Sequence, residues 1–432
     1  MCQDHSSSSK RRNLFAHEDE PPDWQTIDLP EPAVLKRLVD AHCHPTDLPF
    51  SEHQVKNVGL GGLSAMATRI HDQELVDAYG QEHGLHTGEG DWQNACSGVI
   101  ACFGYHPWFC HLLSVDETDE PIDKYAHYAS IFIPDNAKAE KSEQYQQILR
   151  DIVNRLPEPV RLKPLLEDMR HRIRKAQSNQ QLVMIGEVGL DRSFRIPYPR
   201  KDAQGISSAY SGDPSLIREA ENTIATAGEE EMAQKQAVMS PHKSLTPFTT
   251  STAHQLRVLE LQVEMAIEFG INVSLHSVKA QGETIKFLRD IKKKYGRRFE
   301  ERVNVDLHSC GGWSVESWVS ELRNVKSKHF QNLYTSPSLA ISARTSVTPH
   351  LIRYSDPTRL LVESDTHLID DTTRRTWAAA VWIAKCRGWK VEKTESDFQV
   401  PAVNELGVVA RLEENWKAFM KMNNTKERQT HA

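Results

Sequence analysis

The sequence predicts an α/β fold that closes into a (β/α)8 TIM-like barrel, and three observations predict it. Eight short apolar runs alternate with longer stretches of helical periodicity, as parallel strands and their crossover helices do. Eight is the count at which such a sheet closes on itself, an open doubly wound sheet being the alternative. Five of the runs end on or lead directly into His, Glu or Asp, and the C-terminal ends of barrel strands are where active sites are built.

The strand-like runs are Leu38–Ala41, Leu63–Thr68, Gly98–Gly104, Leu182–Gly186, Asn272–Leu275, Val303–Leu307, Asn332–Thr335 and Leu360–Glu363. Between them, His71–His83, His254–Phe269, Ala280–Tyr295, Ser314–Val325, Thr373–Cys386 and Asn404–Met422 read as helices. The second of these places Leu256, Leu259, Val263, Ala266 and Ile267 at three-and-four spacing, one apolar face. Two segments break the rhythm: a charged, partly helical stretch at about 112–181, and 193–253, rich in Ser, Pro, Ala and charge. They read as insertions. Residues 1–35 read as a disordered polar tail, 36–422 as a single barrel domain, and 423–432 as a C-terminal tail.

Composition limits the function classes. Hydrophobic residues make up 39% and charged residues 26% of 432, a globular balance. A formal charge of −7 argues against a globally basic nucleic-acid coat, without excluding a local basic groove. The cluster Lys292, Lys293, Lys294, Arg297 and Arg298 reads as a solvated helix end. Seven cysteines without regular spacing make neither a disulfide framework nor a zinc ribbon, which suits a reducing compartment. No apolar leader and no membrane-spanning run is evident. The expected location is cytoplasmic, nuclear or both, with no membrane partner. Twenty histidines, against ten tyrosines, direct attention to metal ligation.

The first run continues into Asp40-Ala41-His42-Cys43-His44, where strand alternation puts His42 and His44 on one face. The fourth continues into Gly186-Glu187-Val188-Gly189-Leu190-Asp191, the fifth reaches His276, the sixth His308, and the eighth Glu363-Ser364-Asp365. Polar residues often begin loops, but here five strand ends supply only metal-ligand types. Four imidazoles and two carboxylates exceed the demand of one tetrahedral ion. A pair of divalent ions bridged by Glu187 accounts for them, and such a pair suits hydrolysis of a phosphate ester.

With Gly104-Tyr105-His106-Pro107, a helix carrying Gln255 and Gln262, His276-Ser277 and His308-Ser309, these pieces resemble the TatD-like metal-dependent hydrolases, built on the amidohydrolase type of barrel. They stand in the family's order over about 38–390. Gly189-Leu190-Asp191-Arg192-Ser193-Phe194-Arg195 and Ser336-Pro337-Ser338 are similar to the fungal branch, some of whose members are described as partners of a TPR-containing subunit of the anaphase-promoting complex. The resemblance implies two divalent ions (Mg, Mn or Zn), one held by His42, His44, Glu187 and Asp365, the other by Glu187, His276 and His308. It implies metal-bound hydroxide as nucleophile, Asp365 as the base beside it, and His106 as a contact to substrate phosphate or leaving group. Asp191 and Asp40 are expected to orient ligand imidazoles. The implied substrate is nucleic acid or a small phosphodiester. Hydrolysis of carboxyl esters, amides or lactones, and a scaffold that docks a TPR protein, are the alternatives.

Three departures concern substrate rather than metal. Val278 and Lys279 follow His276-Ser277 where the family ordinarily has Arg. Ser309-Cys310-Gly311-Gly312-Trp313 replaces Cys-Phe-Ser-Gly, and Thr366-His367-Leu368 follows Asp365. Gly59, Gly61 and Gly62 lack the strand-to-helix context of a nucleotide loop.

Overall fold

The computed structural model describes residues 19–47, 57–86, 98–118, 120–134, 136, 138–199, 245–321, 330–399 and 406–422. Seven parallel strands form the main sheet: β1 (Val39–Cys43), β2 (Gly62–Met66), β3 (Gly98–Phe103), β6 (Val183–Asp191), β7 (Asn272–Val278), β8 (Val305–His308) and β9 (Leu333–Ser336). They pair in chain order, since each crossover returns the chain beside the strand it left. The eighth run forms no ladder of its own, yet it closes the ring. The Leu361 amide donates to Thr335 and the Ala41 amide to Val362, so 359–365 joins β9 to β1. The (β/α)8 barrel is therefore complete in its hydrogen bonding.

The expected helices appear at 72–83, 252–269, 281–295, 315–321, 369–387 and 408–419. Helix 252–269 begins where the Ser251 hydroxyl accepts from the His254 amide and stops at Gly270 in the left-handed conformation. Its buried glutamines fasten it to strand ends. Gln255 accepts from the Asp191 amide at 2.8 Å, and Gln262 from the Tyr105 amide at 2.7 Å.

The C-terminal helix 408–419 plugs the N-terminal end of the barrel. Asn272 and Asn304 both donate to the Phe419 carbonyl at 2.6 Å, while Trp416 and Phe419 join Val39, Met66, Ile100 and Met184 in the barrel core. With that end filled, the described cavity lies at the C-terminal ends of the strands.

The segment 112–181 divides into two parts. Helix 162–178 buries Leu162, Leu166, Met169 and Ile173 in the core shared with β3 and β6, and so acts as a crossover helix of the barrel. Helices 124–132 and 139–152 pack instead into a separate apolar cluster with Phe194, Ile196 and Phe248. A two-stranded pair, β4 (Leu113–Ser114) and β5 (Val160–Arg161), ties the base of this cap. The ends of both insertions thus build one cap; 200–244 lie outside the described residues.

The placed chain starts before the predicted boundary at residue 36. Residues 19–31 run along helix 369–387, where Trp382 donates to the Asp19 carbonyl and Trp377 to that of Asp28. Indole donors on a buried helix face need acceptors, and this stretch supplies them. The remainder of the predicted tails, 1–18 and 423–432, lies outside the described residues.

The cap carries an acid-sensitive element. Burial pushes His111 down to about 3 and His127 to about 4. Unfolded imidazoles take up protons below about pH 6.5 while these do not, so stability is full above that pH and falls towards pH 3–4. For His111 the loss is about 2 kcal/mol at pH 5. Hydrogen-exchange protection in 124–156 is expected to drop between pH 7 and 5, and to drop less in His111→Leu. Equal pH dependence in both proteins would refute this.

Candidate active site

Register irregularities aim the strand ends. In β1 the pairing slips between Asp40 and Cys43, and in β6 between Ile185 and Val188, one extra residue at each place. The glycines around Glu187 are sterically required. A Cβ on Gly104 would meet the Glu187 carbonyl at 2.7 Å, and one on Gly189 would overlap the His276 carbonyl. Gly104 thus lets β3 approach the Glu187 backbone, and Gly189 lets β6 approach His276.

All six predicted metal ligands and His106 come together. The two carboxylate oxygens of Glu187 face different groups. Oε2 lies 3.4 Å from His44 Nε2 and 3.7 Å from His42 Nε2. Oε1 lies 2.7 Å from His308 Nε2, 2.8 Å from His276 Nδ1 and 3.3 Å from His106 Nε2. Asp365 Oδ1 completes the first group, 3.6 Å from His44 Nε2 and 4.0 Å from His42 Nε2. His42 and His44 aim Nε2 at each other across 3.1 Å. Ligands about 2.0–2.2 Å from a shared ion stand roughly 3–4 Å apart, so the donor set fits divalent metal. The groupings His42–His44–Asp365 and His106–Glu187–His276 each bring their ligand atoms within 4.8 Å.

The electrostatics agree with a site built for cations. Burial would raise Glu187, but the His106 and His308 imidazoles hold it well below the carboxylate range. Burial would also lower His44 and His276; Asp365 and Glu187 bring the first up to about 9, Asp191 and Glu187 the second. His42, driven down to about 3 by burial and by His308, is neutral and ready to ligate.

The outer partners of these imidazoles are partly as expected. Asp191 Oδ2 sits 3.4 Å from His276 Nε2 and accepts from Trp108 Nε1 at 2.7 Å, joining ligand to cap. Asp40 accepts from the His42 backbone amide at 3.2 Å but does not hold its imidazole. Its carboxylate accepts from the Ser364 amide at 2.9 Å and from Thr376, bracing the closing segment against β1, while His42 Nδ1 meets Ser274 Oγ at 2.7 Å. A carboxylate two residues back lies one layer deeper in the barrel, away from the imidazole tip.

Sequence reasoning missed a deeper carboxylate pair. Asp306 and Glu363 are both fully buried and share Ser336, whose hydroxyl lies 2.6 Å from Asp306 Oδ2 and 2.5 Å from Glu363 Oε2. Burial raises both the Asp306 and the Glu363 carboxyl above the ordinary carboxylate range. Glu363 Oε1 accepts from the amide and hydroxyl of Ser309, whose hydroxyl also reaches Asp365 Oδ2 at 2.7 Å. The available signal was alternation: each stands two residues before a predicted ligand.

A cavity of about 440 Å³ opens above this cluster. The polar wall includes His44, His106, Glu187 and Asp365, and the cap wall Trp108, Phe109 and Phe194. Trp108 and Phe194 stack with centroids 4.9 Å apart. The basic cluster around Lys294 is bound by carboxylates: Lys294 reaches Glu260 and Glu264, and Arg297 reaches Glu301. No described helix is long and apolar enough to cross a membrane.

No family model matches the chain. It is 27% identical over 417 residues to the Cut9-interacting protein scn1 of Schizosaccharomyces pombe, covering 90% of this chain and all of that protein. It is 30% identical over 166 residues to an uncharacterized deoxyribonuclease of Saccharomyces cerevisiae, covering 38% of this chain and 44% of that one. Among solved structures, a TatD homologue from Escherichia coli aligns over 89% of this chain and 98% of its own, at 13% identity and a TM-score of 0.37.

Proposed function

We propose that this chain, as a TatD-like metal-dependent hydrolase, cleaves phosphodiester bonds at a site holding two divalent ions. The observation that carries the reading is Glu187, whose two oxygens face two separate sets of donors. His42, His44, Glu187 and Asp365 would hold one ion, and Glu187, His276 and His308 the other. When bound, such ions polarise the phosphoryl oxygens and make water acidic enough to deprotonate near neutral pH.

The chain's own residues supply orientation and proton handling. Ser309 fixes Asp365 through Oδ2, leaving Oδ1 towards the donor cluster, where it would take the proton of the attacking water. His106, pushed down to about 4 by burial, is neutral and faces the cavity, so it would meet a phosphoryl oxygen or the leaving oxygen. The hydrolysis forms one P–O bond to water and breaks the ester P–O bond, the leaving oxygen gaining a proton. A volume of about 440 Å³ falls in the usual range for small-molecule pockets, which favours a small phosphodiester or one nucleotide unit at a time. The name of the yeast relative supports nucleic acid as a substrate class.

Elemental analysis followed by assays on single-stranded DNA, a small phosphodiester and a carboxyl ester, with Mg, Mn or Zn and with chelator, tests the reading. Phosphodiester cleavage that chelator abolishes is expected. Metal-loaded protein that cleaves only carboxyl esters would sink it. A second reading, a barrel that docks a TPR-containing partner, is supported by the name of the fission-yeast relative. It prevails if metal-loaded wild-type protein hydrolyses nothing and Glu187→Ala still abolishes partner capture.

A further inference from the structure

The cavity wall carries cations, but none at the position where the resemblance places one. Val278 lines the wall after His276-Ser277, where the resemblance leads one to expect arginine. Three strong cations also line the cavity: Arg69, Lys279 and Arg344. Arg69 is committed, being buried against both Asp47 and Asp72. Lys279 and Arg344 are both exposed, and Lys279 carries its charge on a flexible four-carbon stem.

Arg344 is differently placed. It ends the short turn Ser342–Arg344 beyond β9, and its Nε donates to the Ala340 carbonyl at 2.7 Å. Among the described residues no carboxylate lies within ion-pair distance of it, although Asp365 is near enough to act on its charge. One end of the guanidinium is therefore tied and the terminal nitrogens carry no carboxylate.

The turn that presents Arg344 is braced from the catalytic side. Ser338 Oγ lies 2.8 Å from Ser309 Oγ, the hydroxyl that holds Asp365. Ser338 Oγ accepts from the Ile341 amide, and the Ser338 amide donates to Ser342 Oγ at 3.1 Å. Thr348 Oγ1 donates to the Ser342 carbonyl, and Thr345 Oγ1 to the Gly311 carbonyl at 2.7 Å. Ser338 and Ser342 are fully buried. A hydrogen-bonded chain, Asp365–Ser309–Ser338–Ser342, therefore runs from the donor cluster to the base of Arg344.

We infer that Arg344 is this chain's substrate-anion residue, receiving phosphoryl oxygens at the cavity mouth in place of the cation missing at Val278. The inference rests on the phosphodiester reading. A planar guanidinium can offer two parallel N–H bonds to two phosphate oxygens, which lysine cannot. Pre-anchoring of its turn reduces what binding must order. The substrate it selects carries a negative charge beside the scissile ester.

The test uses the metal-loaded full chain, with inorganic phosphate as the calorimetric probe and steady-state kinetics on a small phosphodiester. Arg344→Gln is expected to weaken phosphate binding roughly 10- to 50-fold and to raise KM more than it lowers kcat, with metal content unchanged. Arg344→Lys should recover part of the binding, while Lys279→Gln should shift it less than about threefold. Wild-type phosphate affinity in Arg344→Gln, or a larger loss in Lys279→Gln, overturns the inference. If wild-type protein cleaves no phosphodiester yet Arg344→Gln still loses phosphate, the anion site stands and the proposed reaction fails.

Discussion

Glu187→Gln is expected to reduce bound metal from two ions towards one or none, and to lower phosphodiester hydrolysis by roughly 10³-fold or more. The substitution keeps volume and removes charge. One oxygen becomes an amide NH2, which cannot ligate, so one of the two donor groups loses its shared member. Five imidazoles, four of them buried, then lack the carboxylate that now holds them together. Elemental analysis, turnover and circular dichroism on the same preparation separate metal loss from unfolding. A folded Glu187→Gln protein with two ions and wild-type turnover would refute the bridging assignment.

Asp365→Asn should lower kcat by about 10²- to 10⁴-fold while KM changes little. Its backbone has φ 49°, a conformation asparagine adopts with little strain, and its carbonyl can still accept from Ser309. The loss is therefore chemical rather than structural: the amide cannot take a proton, and it ligates more weakly beside His42 and His44. The acidic limb of the pH–rate profile should change with it. Asp365→Asn turning over at the wild-type rate would mean that another group takes the proton, with the Glu363–Asp306 pair the nearest alternative.

Much of this molecule is legible along the chain because its information is local. Five of the eight strand runs lead directly to a ligand type, so pattern alone finds the strand and the candidate residue at its end. The gathering of His42, His44, Glu187, His276, His308 and Asp365 follows once parallel strands are closed, because their ends then share one rim. Asp306, Glu363 and Ser336 escape that logic. Alternation alone marks Asp306 and Glu363, two residues before predicted ligands, and only closure of β8, β9 and the 359–365 segment makes them neighbours of Ser336. Asp40 shows the opposite error: its place in an Asp-x-His-x-His run suggests a partner for imidazole, whereas the packed chain gives it Ser364 and Thr376.

The insertions divide along the same line. Polar, weakly periodic sequence at 112–181 marks a departure from the barrel rhythm, but it cannot distinguish a crossover helix from a cap. Helix 162–178 belongs to the barrel because Leu166 and Ile173 find β3 and β6 beneath them. Tyr128, Phe132 and Leu149 have no strand beneath, and they pack on Phe194 and Phe248 from a segment about 50 residues or more away.

By itself the sequence determined the barrel class, the order of strands and helices and the candidate residues that gather at one rim, since periodicity and residue chemistry are properties of the chain. Only the tertiary structure decided which donors face which oxygen of Glu187, that Ser274 rather than Asp40 meets the His42 imidazole, and that Arg344 lines the same cavity as Val278. Those are distances between residues up to 232 positions apart, and only packing sets them.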